Sequence, residues 1–476
     1  MNTSLTLGGL LLGGVAVFLG QFSANAVPGE GKHDGDGGVA GGPDVIVGAI
    51  PDTASYPPGT FNGEQFAAYA FGSTSCNIGV AQLQWQQLPS NLHPVIPQNM
   101  YRIKNGAIEQ IGMSWVKHGF CALQENLCGT CVPAGAGCPS VLGIGCSDPY
   151  TASLNGSPSD LKSRGPINPS LGWFNGNYPD PTPPSLFPTS LRERVAVRRS
   201  DLDPAQNAGA IYLAECQYIH PQDAAAENDN NNASYRLVTI GSTWSTNSGY
   251  PLTLTGATIQ QVPALYGWKT AHPDVQVNSL DFVGDGRFLV GSRAIDNGNG
   301  TWRYEYAVFN LNSHRGGGSF SVPVPQGVAI TNIGFKSPTY LNGEGYTNAA
   351  WSSVVSGGKI TWTCEPNTNI NANALRWSTL YNFRFTANVP PASAPGLATI
   401  GLWRETTPSS TEISGNVAAY IPSTPTITGD LNGDGVVDSG DLGVLLSAWG
   451  TAAGDLTGDA TTDSADLGVL LANWTP

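Results

Sequence analysis

Charge is scarce in this chain, and the imbalance is acidic. Asp, Glu, Lys and Arg make up only 12% of 476 residues, and 35 acids outnumber 21 Lys and Arg to give a net charge of −14. No Lys or Arg follows Arg404. Binding to a phosphate backbone needs basic clusters, so nucleic acid is excluded as a partner. Long apolar runs are also missing: after Leu5–Leu19 none is long enough to span a bilayer, so no membrane span is expected once the N-terminus is removed. Catalytic signatures are absent too. The chain has no G-x-S-x-G elbow, no Gly-rich phosphate loop and no H-E-x-x-H helix. Disorder of the whole is excluded by the supply of aliphatic and aromatic side chains.

What the chain has in quantity is Gly (60) and Pro (35), the composition of β-structure with many turns. The apolar stretch Leu5–Leu19 followed by Ala24-Asn25-Ala26 reads as a signal peptide over 1–26, cleaved after Ala26, although no Lys or Arg stands near Met1. A Gly/Asp-rich flexible lead, 27–42, comes next. The expected location is therefore secreted or cell-surface. Eight cysteines fit an oxidising compartment, with five crowded between Cys121 and Cys146. A disulfide framework is the default, and eight cysteines allow 105 connectivities, so the pairing stays open. Zinc held by Cys128, Cys131, Cys138 and Cys146 is an alternative, and Cys128-Gly-Thr-Cys131 has the local form of a redox motif without its βαβ setting.

Residues 43–263 mix short apolar runs with turns and are read as a Cys-containing β-rich domain. Within them Ser114–Cys121 suits a short helix or a buried strand, Ile211–Ile219 a strand, and Glu227–Arg236 a solvated loop. Residues 264–406 alternate more clearly. Arg287–Ile295 and Thr301–Leu311 flank Asp296-Asn-Gly-Asn-Gly300, and Trp351–Val355 and Lys359–Cys364 flank Ser356-Gly-Gly358, two hairpins by turn chemistry. With Leu375–Val389 and Ala398–Trp403 they predict an antiparallel β-sandwich. Residues 407–428 lose the pattern and are read as a linker. The expected fold class is mainly β, with a disulfide-containing β-rich N-terminal region, the sandwich, and a small C-terminal α module of two calcium loop-helix repeats over 429–476.

That last module rests on one motif written twice. Asp430–Asp441 is DLNGDGVVDSGD followed by LGVLLSAWG, and Asp455–Asp466 is DLTGDATTDSAD followed by LGVLLANW, so corresponding residues lie 25 apart (455 − 430). Each copy has the grammar of a twelve-residue calcium loop, whose oxygens come from positions 1, 3, 5, 7, 9 and 12. In the first these are Asp430, Asn432, Asp434, the Val436 carbonyl, Asp438 and Asp441. In the second they are Asp455, Thr457, Asp459, Thr461, Asp463 and Asp466. Two Ca²⁺ sites are expected, the second weaker because it has Thr457 at position 3 and Ala460, not Gly, at position 6. Leu442, Leu445, Leu446 and Trp449, repeated as Leu467, Leu470, Leu471 and Trp474, fall on one helical face. The helices are too short to stand alone, so their order should be coupled to the metal.

Loop then helix, twice, with no helix entering either loop, resembles the type I dockerin. The resemblance covers about a tenth of the chain and implies two bound calcium ions and docking of a cohesin-like domain. The implied partner-facing residues are loop positions 10 and 11, here Ser439, Gly440, Ser464 and Ala465. The 25-residue spacing is closer than in cellulosomal members.

In the body, Glu215, His220 and Asp223 could form an acid/base or metal cluster, but on one strand and its exit they are expected to be surface or turn residues. His118 is expected to be structural. Trp302, Tyr304, Tyr306, Trp351, Trp362 and Trp377 are expected to be sandwich core in preference to a sugar-stacking strip. The functional expectation is an exported bacterial protein whose calcium module mediates protein–protein attachment and carries a structural or adhesive β-rich body. The alternative is a polysaccharide-degrading O-glycosyl hydrolase or a carbohydrate-binding protein tethered in the same way, since the resemblance associates such modules with polysaccharide as the substrate.

Overall fold

The computed structural model describes residues 41–182, 187–341, 344–406, 411–424 and 427–475. The expected signal peptide and all but the last two residues of the lead lie outside them. Among these residues the fold is mainly β, every strand pair is antiparallel, and helix is limited to short pieces, the longest being Leu265–Ala271 and the two of the C-terminal module. None of the helices in the described residues is long and apolar enough to cross a membrane.

The layers follow from alternation along the strands. The widest sheet has six strands in the order Leu161–Lys162, Ala107–His118, Val95–Lys104, Ile211–Gln217, Ala233–Ile240, Leu252–Ile259. One of its faces, with Met100, Tyr212, Ala214 and Val238, packs on Val45, Val47, Tyr69 and Val195 of two smaller three-stranded sheets. Successive side chains point to opposite faces, so the intervening Tyr101, Leu213 and Tyr235 face the other way. There they meet Trp268 of the helix Leu265–Ala271 and Ala307, Phe309 and Leu380 of the next sheet.

That next sheet (Gln276–Phe282, Gly286–Asp296, Trp302–Asn310, Thr379–Ala387, Ile330–Lys336) is one half of the predicted sandwich. The other half is Ser352–Ser356, Lys359–Thr363, Gly317–Pro323, Gly396–Leu402 and Ser414–Ala419. Between the halves lie Tyr304, Tyr306, Phe320, Trp362, Phe383 and Phe385, with ring centroids as close as 4.8 Å for Phe320 and Phe383. Trp302–Asn310 is therefore buried on both faces, which explains why its Arg303/Glu305/Ala307/Phe309 side carries two apolar residues. Polar bonds cross the same junction: Leu380 N–H donates to Gln110 Oε1 (2.7 Å), Asn382 Nδ2 to the Ile108 carbonyl (2.6 Å) and Ala264 N–H to Glu215 Oε2 (2.7 Å). One apolar core thus spans the expected boundary at 263/264.

Both hairpins form where their turns place them, with Gly298 and Gly300 at φ +72° and +77° between Gly286–Asp296 and Trp302–Asn310. The alternatives left open at Ser114–Cys121 resolve to a strand, the end of Ala107–His118. Two expectations are corrected. Within the stretch read as linker, Ser414–Ala419 is an edge strand paired with Gly396–Leu402. Its short, Gly-containing sequence has little intrinsic preference for a strand, and the exposed edge it covers supplies the pairing. The polar tract 227–236 is a loop only as far as Asn232, because Ala233–Ile240 is a central strand.

The cysteines form three disulfides, Cys76–Cys128, Cys121–Cys138 and Cys131–Cys146, leaving Cys216 and Cys364 as buried thiols. The four residues of the zinc alternative are thus spread over three bridges, and Cys128 and Cys131 are not bonded to one another. Such bridges fit an oxidising environment.

Candidate functional site

Each C-terminal repeat folds as loop then helix. In the first loop Asp430 Oδ1 accepts from the amides of Gly433 (2.7 Å) and Asp434 (3.2 Å), and Oδ2 from Gly435 (2.9 Å). Asp441 Oδ1 accepts from Leu431 (2.7 Å) and Asn432 (3.0 Å), and Oδ2 from Asp438 (2.9 Å). Asp438 caps the helix Ser439–Ser447 and completes a capping box with Asp441. The second loop repeats this plan through Asp455, Asp463 and Asp466, and Asp463 caps the helix Ser464–Ala472.

The two halves clasp each other crosswise. Val437 of loop one exchanges bonds with Thr475 beyond the second helix (3.0 and 2.8 Å), and Thr462 of loop two exchanges bonds with Thr451 and Gly450 beyond the first (2.6 and 2.9 Å). Leu445, Leu470 and Val437 form the small shared core. Neither half has a core of its own, so the two should order together.

The loops differ in how well they suit a cation. One carboxylate oxygen from each of Asp430, Asp434 and Asp441 lies within 4.8 Å of the others. Opposite ligands across a calcium ion stand about that far apart, given bonds of roughly 2.3–2.6 Å. An all-oxygen set is also the donor chemistry that Ca²⁺ selects, so the residues present fit the ion. Asp430, Asn432, Asp434, Asp438, Asp441 and the Val436 carbonyl would hold it, and it would cross-link the loop. Among the described residues this is the one such group of three. Asp455, Asp459 and Asp466 do not gather in the same way, and position 3 supplies a reason. Asn432 Nδ2 donates to Asp434 Oδ2 (3.1 Å), whereas Thr457 Oγ1 turns back to Asp455 Oδ1 (3.3 Å). At position 6, Gly435 has φ +87° and Ala460 has φ +70°, a left-handed conformation that costs a Cβ-bearing residue about 1 kcal/mol. Ala460→Gly with Thr457→Asn should therefore tighten the second site roughly 5- to 10-fold, read as the weaker step of a calcium titration. An unchanged second step would refute this account of the asymmetry.

Backbone amides lower the pKa of three of the loop carboxylates, Asp441, Asp455 and Asp466. For Asp455 and Asp466 the amides of Gly458 and Asp463, respectively, are the leading cause of a lowered pKa. For Asp441 burial acts upward but is outweighed by the amides of Asp438, Asn432 and Leu431. A carboxyl held below its unfolded value of 3.8 stabilises the fold above that pH and loses its contribution as pH falls through the lower folded value. Amide exchange of 439–447 and 464–472 should accordingly be flat from neutrality to the ordinary Asp range and rise below it. A rise centred near neutral pH would contradict the assignment.

The partner-facing candidates Ser439, Gly440, Ser464 and Ala465 are all exposed. The helical faces are only partly covered. Leu445 and Leu470 are buried, but Leu446, Trp449, Leu471 and Trp474 are 53%, 47%, 51% and 38% exposed. The partner helix covers only part of the apolar stripe, leaving an apolar pair on each helix at matching repeat positions.

In the body, Glu215, His220 and Asp223 are corrected from surface residues to fully buried ones, and each has its own partners. Glu215 accepts from Tyr101 Oη (2.7 Å) and Asn99 (2.9 Å), and Asp223 from the Val45 amide (2.8 Å) and Asn232 (2.6 Å). His220 accepts from the Gln222 amide (3.0 Å) at the start of Pro221–Ala225. Burial pushes the Glu215 and Asp223 carboxyls up and His220 down to about 4. His118 is buried between His93 (2.8 Å) and Tyr178 (3.0 Å). Tyr304, Tyr306, Trp351, Trp362 and Trp377 are buried and Trp302 is half-buried, so they offer no sugar-stacking strip.

No protein-family model and no curated protein matches the chain.

Sequence reading missed a cleft of about 790 Å³ where loops of the sandwich meet 163–181 of the N-terminal part. Arg376, Arg404, Tyr346, Trp403, Glu344 and Asp180 line it. Of its three acids, Glu405 among them, two serve the scaffold: Asp180 pairs with Lys162 (2.8 Å) and accepts from the Ser163 amide (3.1 Å), and Glu344 accepts from the Arg164 amide (3.1 Å). No single stretch of sequence carries a signal for this cleft, because its residues come from separate loops.

Proposed function

We propose that the chain is an exported protein whose C-terminal module binds calcium and thereby orders a docking surface for another protein, attaching the β-rich body outside the cell. The observation that carries this reading is the convergence of Asp430, Asp434 and Asp441 in a loop that already cradles their carboxylates with backbone amides. Docking is supported by the exposed, repeat-matched Leu446/Trp449 and Leu471/Trp474 beside Ser439, Gly440, Ser464 and Ala465. The occupant the module's resemblance implies is a cohesin-like domain. Export is supported by the three disulfides and by the apolar, small-residue pattern of 1–26.

The body's role is structural or adhesive in this reading. The cleft favours a second reading, a polysaccharide-binding body tethered by the module. Calorimetry of the full chain tests the main reading: Ca²⁺ should give a tighter and a weaker step, and a cohesin domain should bind in calcium and be released by chelator. A titration without heat at millimolar Ca²⁺ would end the calcium reading, and cohesin binding that ignores chelator would end the coupling.

A further inference from the structure

An open sheet edge offers unpaired N–H and C=O groups to any other strand, and folded proteins close or break such edges. Most edges here are treated in that way. Thr53–Phe61 carries Pro57 and Pro58 at a register shift, Leu252–Ile259 shifts register beside Gly256 (φ +67°), and Ile330–Lys336 shifts at Asn332 (φ +49°) and ends on a lysine. Val45–Ala49, Ser147–Tyr150 and Val195–Arg198 are edge strands buried along most of their length. Gln276–Phe282 and Ser414–Ala419 lie against each other, and Asn278 Nδ2 donates to the Ala418 carbonyl (2.9 Å). The remaining edges are strands of two residues.

Ser352–Ser356 is the exception among the described residues. It is the outermost strand of its sheet, pairs with Lys359–Thr363 over all five residues without a shift, and contains no charge, proline or glycine. Every residue of it is exposed, Val354 by 60% and Val355 by 51%. Val354 heads an outer-face row whose other members are Thr361, Ser321 and Thr399, so the fold itself gives no reason for an apolar residue there. The hairpin closes through Gly357 and Gly358 (φ +58° and +71°), a two-residue turn whose flanking pair Ser356/Lys359 shares ladder bonds. Bonding alternates along an antiparallel pair, so 352, 354 and 356 bond inward while Ser353 and Val355 aim N–H and C=O outward. No hydrogen bond reaches that outer side among the described residues.

We propose that Ser352–Ser356 pairs antiparallel with the same strand of a second copy of this chain, joining the two five-stranded sheets across a two-fold axis at Val354. Three observations select that occupant. A second copy has to bring a free strand edge of its own, and among the described residues this strand is the one it can bring. Centred on Val354, Ser353 of one copy faces Val355 of the other, so the outward N–H and C=O groups of all four residues find partners. The strand is uncharged, so self-pairing sets no like charges opposite each other. Because the same patch serves both copies, the contact closes at two and does not propagate. The inference is independent of the calcium reading.

The test is sedimentation of the full chain, in Ca²⁺ and in chelator, together with amide exchange at 353 and 355. Five residues a side make a small interface, so a reversible dimer with a dissociation constant on the order of 10–100 µM is expected, equal in the two buffers, with both amides protected only as it forms. Val354→Lys and Val354→Glu should each weaken it at least about tenfold, because each sets like charges together on the axis, and an equimolar mixture of the two should restore it. Val355→Pro removes an outward N–H without touching the inward ladder and should weaken it similarly; should it fail to fold, the charge pair carries the test. A monomer at about 1 mM overturns the proposal. So does a dimer that ignores all three variants, or one that chelator dissolves, since assembly would then run through another surface or the C-terminal module. Protection of 353 and 355 in the monomer would put another segment of this chain on the edge, and open-ended oligomers would exclude the two-fold; either overturns it.

Discussion

Asp441→Ala is expected to abolish the tighter calcium step and to unfold the C-terminal module with it. Three effects add at this residue. Its two oxygens accept amides from Leu431, Asn432 and Asp438, and removal orphans all three. It is the N3 member of the capping box of Ser439–Ser447, and loss of capping costs about 1 kcal/mol by itself. It also offers one of the three converging carboxylate oxygens, and affinity at such a site should fall on the order of a hundredfold or more. The nine-residue helix cannot persist unaided, and the crosswise clasp between Val437 and Thr475 passes the loss to the other half. Calorimetry should therefore lose its tighter step, and amide exchange of both 439–447 and 464–472 should rise together. Asp441→Asn keeps the shape and one acceptor oxygen, so it should fall between. A tighter step that survives Asp441→Ala would remove the first loop as the site, and exchange confined to 439–447 would refute the clasp.

How much of this was legible in the sequence follows from how local each feature is. The first metal loop was readable because all its ligands lie within twelve consecutive residues and the turn that gathers them is written beside them. The hairpins at 296–300 and 356–358 were readable for the same reason: glycine at the turn and alternation on either side. Burial of Glu215 was not, since Asn99, one of its partners, lies 116 positions away and no local pattern announces it. The sandwich was legible as strands, but its second buried face was not. Alternation tells which residues share a side, and only the six-stranded sheet packed against Ala307 and Phe309 makes both sides interior. The helical stripe was legible as a face but not as a buried one. Periodicity placed Leu446 and Trp449 on one face with Leu445, but it could not tell how much of that face the other helix covers. The cleft lined by Arg376 and Arg404 lay beyond reach because its residues come from separate loops.

The second large effect is expected at the junction between the N-terminal sheets and the sandwich, where Arg164 is buried. Its guanidinium donates to the carbonyls of Ser114 (2.6 Å), Gln98 (3.0 Å) and Ser378 (3.1 Å) and to Asn99 Oδ1 (3.1 Å). It also lies 6.0 Å from the Trp377 ring. The acceptors come from two strands of the six-stranded sheet and from the turn that enters Thr379–Ala387, so this one side chain ties together segments that lie far apart along the chain. Arg164→Leu keeps most of the volume and removes every donor. Four buried acceptors would lose a charged partner, and since an unmade buried bond costs about 1–3 kcal/mol, with some relief from rearrangement, a loss of about 3–5 kcal/mol is expected. Burial lowers the guanidinium pKa, against the opposing pull of Glu344 and Glu215, so removing the cation should also push the buried Glu215 carboxyl further upward. Urea unfolding measures the first effect. The second sharpens its pH dependence: a carboxyl raised further binds its proton more tightly in the folded state, so the variant should lose stability more steeply as pH rises through that folded pKa. A loss below about 1 kcal/mol would mean that the two halves are held by their apolar contact alone, and that the polar junction adds specificity without strength.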